Sequence, residues 1–150
     1  MAREAALAGH ECVVLDNLST GNKTRVSGEF HDLDLASPDA PAKLKAIFAN
    51  NRFDSVIHLA ARKQVGESVE KPEEYYRDNI GAMANLLLAM RESGHKSLVF
   101  SSSAATYGFP DAAVINEDVT PKPINPYGET KLIGEWMVEN AKAWGLRGVN

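Results

Sequence analysis

Residues 53–100 read FDSVIHLAARKQVGESVEKPEEYYRDNIGAMANLLLAMRESGHKSLVF, with a short apolar segment at each end and a long helical pattern between them. The apolar segments at 53–59 and 97–100 predict buried strands. Residues 72–93 carry an apolar stripe at helical spacing. The stripe consists of Met83, Leu86, Leu87 and Met90. A strand–helix–strand unit of this length predicts two parallel strands joined by a crossover helix.

The rest of the chain continues this alternation. A short apolar run at 11–15 and a loosely alternating stretch at 29–35 predict two further strands, and residues 41–51 predict an amphipathic helix. Pro126 opens another helix that extends to about residue 144, and a new strand starts near the end of the chain. The intervening residues 108–126 are rich in Pro, Asp and Asn and predict a loop. The alternation predicts an α/β fold, a Rossmann-like doubly wound parallel sheet.

Composition excludes several classes of protein. The chain has 150 residues and a net charge of −4, which suits one globular domain and argues against nucleic acid or an anionic membrane as partner. No apolar run approaches the roughly 18 residues of a membrane span. The single cysteine, Cys12, excludes an intrachain disulfide, and we expect no metal site. A free thiol in an apolar run favours the reducing cytoplasm.

In sheets of this kind, ligands bind beyond the carboxyl ends of the strands. The residues that follow each strand are therefore the first candidates for a functional site. Asp16 follows the first strand, where a carboxylate binds a ribose diol and favours NAD over NADP, although a turn aspartate is the alternative. Asp34 follows the second strand and could reach an adenine amino group or cap a helix. His58 lies in the third strand, where a core histidine is favoured over a catalyst. Residues 101–103 are three serines that could bind a sugar hydroxyl or cap a turn.

The helix at 127–144 begins with Tyr127 and carries Lys131 four residues later, so both side chains lie on one helix face. An ammonium group beside a phenol favours the phenolate, which could act as a general base near neutral pH. An isolated pair of this kind is more often a surface contact. Its position after a strand that ends in serines favours a catalytic role.

Four segments together resemble a known family. They are VLDNLSTG at 14–21, VIHLAARKQVGESV at 56–69, FSSSAATYG at 100–108 and NPYGETK at 125–131. The segment KPEEYYRDN at 71–79 agrees with them. The chain resembles the extended short-chain dehydrogenases/reductases (the NAD-dependent epimerase/dehydratase family) and, within them, the UDP-glucose 4-epimerase branch.

The resemblance implies a role for each matching residue. Tyr127 would remove the proton from the sugar 4-hydroxyl, Lys131 would support it and hold the nicotinamide ribose, and Ser103 would hydrogen-bond the 4-oxygen. Lys63, Ser103 and Tyr127 would contact the UDP-sugar. The cofactor NAD would lie against Asp16, Asn17, Ser19, Thr20, Asp34, Leu35, Leu59, Ala60, Ala61, Lys63, Asn79, Ser101, Tyr127 and Lys131.

The implied reaction is epimerisation at C4 of a UDP-hexose, UDP-glucose or UDP-galactose, by transient hydride transfer to tightly bound NAD. Alternatives are another nucleotide-sugar epimerase or 4,6-dehydratase, a reductase, or a truncated chain without catalytic activity. The dehydratases usually carry Asp-Glu where this chain has Ala104 and Ala105, which disfavours them. The residues that choose between sugars are not identified by the sequence.

The chain departs from the family pattern at both ends. It lacks the family's glycine-rich loop, which seats a pyrophosphate on a helix N-terminus, and it begins within a helical pattern. We therefore expect residues 1–150 to form a partial NAD-binding Rossmann domain, without its first strand and without the C-terminal substrate domain. A homodimer through the helices at 72–93 and 127–144 is one expected assembly, although core packing explains their apolar stripes equally well.

Overall fold

The structure is a computed structural model that describes residues 1–26, 28–110 and 114–150. Six α-helices and five strands alternate through these residues, with short 3₁₀ turns between them. The helices are α1 (Ala2–Leu7), α2 (Ala40–Asn50), α3 (Val65–Glu70), α4 (Pro72–Tyr75), α5 (Gly81–Glu92) and α6 (Pro126–Ala141). The strands are β1 (Val13–Asp16), β2 (Glu29–Asp32), β3 (Val56–His58), β4 (Ser97–Phe100) and β5 (Arg147–Val149).

The strands form two parallel sheets, which confirms the predicted parallel α/β class. β1 pairs with β2, and β4 lies between β3 and β5. Within the described ranges no backbone ladder joins β1 to β3. In a complete doubly wound sheet, the first strand of the fold lies between its second and fourth strands. The order of the strands here matches that sheet when β1 and β3 are its second and fourth strands, and the interruption between them falls at the position of the first strand.

The core lies where α2, α5 and α6 cover one face of the sheets. The stripe of α5 predicted from the sequence is buried there, with Met83 only 1% exposed. Leu98 and Phe100 of β4 point into this core, whereas Val99 between them is 40% exposed, as the alternation of a strand requires. An added Cβ at Gly148 would lie 2.4 Å from Val138, so glycine allows β5 and α6 to pack closely.

The long helix predicted for 72–93 is present as one continuous helical run, which contains a π-helical turn that the sequence did not predict. A separate helix, α3, precedes it, and the π-helical turn, Tyr76–Ile80, separates α4 from α5. The sequence does not predict α3, because Val65 and Val69 are 46% and 63% exposed and form no apolar stripe at helical spacing. A long-range contact holds the region instead, since the buried Tyr75 donates its hydroxyl proton to the carbonyl of Gln64 at 2.7 Å.

Two further findings concern the limits of the elements. β2 ends at Asp32, three residues before the predicted limit, and Asp34 then accepts a hydrogen bond from the backbone N–H of Ala36 at 2.9 Å. Residues 111–113 of the predicted loop lie outside the described residues.

None of the helices in the described ranges has both the length and the apolar character to cross a membrane.

Candidate active site

The first turn of α6 positions the predicted catalytic pair. Asn125 precedes the helix, and its side-chain oxygen accepts the backbone N–H of Gly128 at 2.8 Å. Pro126 occupies the first helical position, where its missing N–H costs nothing. Asn125 and Pro126 thus fix where the helix starts. Tyr127 lies half-buried in this turn, and Lys131 follows one turn later on the same face.

Lys131 is buried beside the end of β4. Only 4% of the residue is exposed, and its Nζ donates a hydrogen bond to the carbonyl oxygen of Ser101 at 2.7 Å. The Nζ lies 6.0 Å from the centre of the Tyr127 ring. Burial lowers the pKa of Lys131 from 10.5 to about 8, because the charged form loses its hydration. At neutral pH the group is therefore still mainly an ammonium ion that faces Tyr127.

The three serines after β4 have different surroundings. The carbonyl of Ser101 binds Lys131, and the hydroxyl of Ser102 donates to a carboxylate oxygen of Glu135. The Oγ of Ser103 accepts the backbone N–H of Ala105 at 3.2 Å. Because that contact uses a lone pair, the Ser103 hydroxyl proton remains available to donate to a ligand oxygen.

Asn79 connects the residues after β3 with helix α6. Its amide bridges Arg62, with the Arg62 N–H at 2.8 Å from Oδ1 and the Arg62 carbonyl at 3.0 Å from Nδ2. The same Nδ2 donates to Thr130 Oγ1 at 3.0 Å, and Thr130 donates to the carbonyl of Tyr127 at 2.8 Å. The structure thus places Asn79, predicted as a cofactor ligand, between the loop after β3 and the Tyr127 turn.

The loop after β3 forms the solvent-exposed side of the cluster that contains Asn79, Tyr127 and Lys131. Leu59, Ala60, Ala61 and Lys63 are all exposed there. The Ser101 N–H donates to the carbonyl of His58 at 3.0 Å, so the ends of β3 and β4 are adjacent. The predicted residues of β3, β4 and α6 are therefore brought together at one edge of the three-stranded sheet.

His58 belongs to the core beneath this edge. It is 4% exposed and its ring stacks on Phe100, with 5.9 Å between the ring centres. Burial and, to a smaller extent, the positive charge of Lys131 together lower the pKa of His58 from 6.5 to about 4. The imidazole is therefore neutral at physiological pH, which agrees with the core histidine that the sequence favours.

A second group of predicted residues follows β1 and β2 on the two-stranded sheet. Asp16 accepts the N–H of Leu18 at 2.7 Å, and an added Cβ at Gly21 would lie 2.7 Å from the same carboxylate oxygen. Asn17, Ser19, Thr20 and Asp34 are exposed, and Leu35 is half-buried. Asn85 of α5 donates to the carbonyl of Leu35 at 2.8 Å and so joins this sheet to the rest of the fold.

Gly128 fixes the distance between the Tyr127 turn and the 3₁₀ turn Ala104–Tyr107, because an added Cβ would lie 2.5 Å from the carbonyl oxygen of Ala105. We expect Gly128→Ala to lower the free energy of unfolding by about 1–3 kcal/mol. Thermal denaturation of the complete gene product measures it. Gly81→Ala is the matched control, because no atom lies within 4 Å of its added Cβ. Equal stability of the two variants would contradict this close approach.

Taken together, parallel strands that end in an acidic turn, a loop of small residues and a Ser/Tyr/Lys group define a dinucleotide-binding α/β protein. Comparison with known proteins agrees. The model of the NAD dependent epimerase/dehydratase family matches residues 1–150, and the chain belongs to this family.

Three similar proteins illustrate the relationship. UDP-glucose 4-epimerase of Corynebacterium glutamicum is 45% identical over 139 residues, which is 92% of this chain and 41% of that protein. UDP-glucose 4-epimerase of Streptomyces lividans is 44% identical over 154 residues, covering 100% and 46% of the two chains. The crystal structure of UDP-glucose 4-epimerase from Brucella ovis in complex with NAD matches with a TM-score of 0.94 and 44% identity, over 98% of this chain and 45% of that one. The chain thus spans less than half the length of these relatives.

The sequence did not identify the roles of two residues of this site, Glu135 and Arg62. Glu135 binds Ser102, and Arg62 binds Asp78 at 2.5 Å and Glu74 at 3.0 Å, which ties the loop after β3 to the adjacent helices. A signal existed only for Glu135, which lies four residues after Lys131 and therefore on the same helix face.

Proposed function

We propose that the complete protein interconverts UDP-glucose and UDP-galactose by epimerisation at C4. The observation that carries the proposal is the buried Lys131 ammonium, which lies 6.0 Å from the centre of the Tyr127 ring and donates to the carbonyl of Ser101. Two residues further along the chain, the hydroxyl of Ser103 can donate its proton to a ligand. The names of the relatives support the substrate class, since each is a UDP-glucose 4-epimerase.

The residues present fit an NAD molecule along the carboxyl edge of the strands. Ala60 and Ala61 are exposed and small, so the flat rings of a dinucleotide can approach the backbone there. Asp16 offers a carboxylate to the adenosine ribose, and the tight contact at Gly21 keeps this turn free of a side chain. Asp34 and Leu35 would contact the adenine, and Lys131 the nicotinamide ribose.

NAD, when bound, would supply the group that accepts the hydrogen of C4 and returns it. The chain's own side chains would handle the proton and the sugar. The Oη of Tyr127 would take the proton of the 4-hydroxyl, and the Lys131 ammonium would stabilise the charge on that oxygen. Ser103 would donate its hydroxyl proton to the 4-oxygen and hold it in place, while the exposed Lys63 would contact the anionic part of the substrate.

A 4,6-dehydratase is disfavoured on this scaffold. That reaction needs an additional acid and base near C5 and C6 of the sugar. The turn after Ser103 carries Ala104 and Ala105, which supply neither.

Assembly and location belong to the proposal as well. The apolar stripe of α5 is used by the core, so a homodimer through α5 and α6 would need their outer faces. Leu88 and Trp136, 45% and 57% exposed, lie on those faces. The half-buried free thiol of Cys12 favours a reducing compartment such as the cytoplasm.

The test is conversion of UDP-galactose by the complete gene product with NAD, followed by chromatography of the sugar nucleotides and absorbance of NADH. We expect UDP-glucose to form without net accumulation of NADH. Stoichiometric NADH would indicate a dehydrogenase, and a product lighter by one water would indicate a dehydratase. Either result would overturn the proposal.

A further inference from the structure

We infer that Glu135 is a positioning residue for the epimerisation, which acts through Ser102 on Ser103; this inference rests on the proposed function. Tyr127, Lys131 and Glu135 follow one another at intervals of four residues along α6. Side chains at this spacing lie on one face of a helix. Glu135 therefore extends the catalytic face of α6 by one turn.

Consecutive turns of this face of α6 contact consecutive residues after β4. An added Cβ at Gly134 would lie 2.6 Å from the ring of Phe100, so the helix and strand are in close contact. Lys131 binds the carbonyl of Ser101, and the next turn places the carboxylate of Glu135 on the hydroxyl of Ser102. Two anchors on consecutive helical turns thus hold two consecutive residues after the strand.

The second anchor determines the position of Ser103. Ser103 has extended backbone, with φ −157° and ψ 145°, and comes directly after Ser102. Its Oγ is confined on the other side by the N–H of Ala105 at 3.2 Å. A hydrogen bond to a carboxylate is about twice as strong as one between neutral groups. Loss of the Glu135 contact would leave the Ser102 segment held by its neighbours alone, and the Ser103 hydroxyl would lose its fixed direction.

A second acidic residue on α6 shows what an ordinary surface carboxylate of this helix does. Glu139 lies one turn beyond Glu135, its side chain is 68% exposed, and it pairs only with the exposed Lys142 among the described residues. Glu135 is half-buried and reaches the other structural element that carries the reactive groups. Glu139→Ala is therefore the matched control.

The experiment compares kcat and KM for UDP-galactose in the complete gene product with NAD. We expect Glu135→Ala to lower kcat by about 10- to 100-fold with KM little changed, because misplacement of a reacting group by about 1 Å has effects of this size. Glu135→Gln should retain most of the activity, since its amide oxygen still accepts from Ser102. Ser102→Ala should reproduce the loss, and the double variant should be no worse than either single variant.

A lower melting temperature with unchanged kcat in Glu135→Ala and Ser102→Ala would overturn the inference. So would a raised KM with unchanged kcat, or additive losses in the double variant. If Glu135→Ala does not fold, Ser102→Ala and Glu135→Gln carry the same test. Absence of epimerisation by the wild type would instead refute the proposed function. Thermal denaturation of the wild type, Glu135→Ala, Ser102→Ala and the double variant would then still show whether Glu135 and Ser102 are coupled.

Discussion

Replacement of Tyr127 by Phe should lower kcat for UDP-galactose by roughly 10²- to 10⁴-fold, which is the usual contribution of a general base. The substitution removes the only atom of this side chain that can hold the proton of the sugar 4-hydroxyl. The ring and its distance of 6.0 Å from the Lys131 Nζ remain. The loss should therefore appear in turnover and leave NAD binding intact.

Two measurements check this assignment. Initial rates give kcat, and NAD released after denaturation of the purified variant gives cofactor content. The matched control is Tyr107→Phe, which removes a hydroxyl from the neighbouring 3₁₀ turn and should leave turnover unchanged. Near wild-type kcat in Tyr127→Phe would refute the role of this residue as base.

Replacement of Lys131 by Met should both reduce turnover, by about 10²- to 10³-fold, and change how stability depends on pH. The pKa of Lys131 is about 8 in the folded protein and 10.5 in the unfolded chain. Between these values the unfolded chain binds a proton that the folded protein does not, so the free energy of unfolding rises with pH through this window. The total gain in the free energy of unfolding is at most about 3 kcal/mol, and it is absent below pH 8.

The variant has no such group, so its stability should lack this rise. Urea denaturation at pH 7.5 and about pH 10 gives the change in the free energy of unfolding with pH for each protein. Subtracting one change from the other removes the contributions of the other titrating groups, because both proteins have them. The exposed Lys43 provides a control, since Lys43→Met should keep the wild-type dependence. Parallel pH profiles of wild type and Lys131→Met would contradict the burial of this ammonium.

Much of the fold follows from the sequence because one physical pattern dominates it. The stripe of Met83 and its partners predicted α5, apolar runs predicted β1, β3 and β4, and a loosely alternating stretch predicted β2. The helix α3 and the π-helical turn at 76–80 were not predicted, because contacts between residues distant in the sequence determine them. Tyr75 reaches back to Gln64, and the π-helical turn places Asn79 against Arg62 and Thr130. Neither contact leaves a periodic signal.

The candidate site was predictable to the extent that helix geometry determines it. The four-residue spacing of Tyr127 and Lys131 predicts a shared face, and the structure places both at the end of β4. The different surroundings of the three serines could not be predicted, since they depend on the register between α6 and β4. The glycine at position 134 sets that register, because a side chain there would collide with Phe100.

The most direct measurement uses UDP-galactose that carries deuterium at C4, converted by the complete gene product in ordinary water. In the proposed epimerisation, the hydrogen of C4 passes to a bound carrier that returns it to the same carbon, while Tyr127 handles only the hydroxyl proton. We therefore expect the UDP-glucose product to retain deuterium at C4 by mass spectrometry and NMR. Loss of the deuterium to water would mean that a side chain removes the hydrogen of C4 as a proton, and would contradict the account.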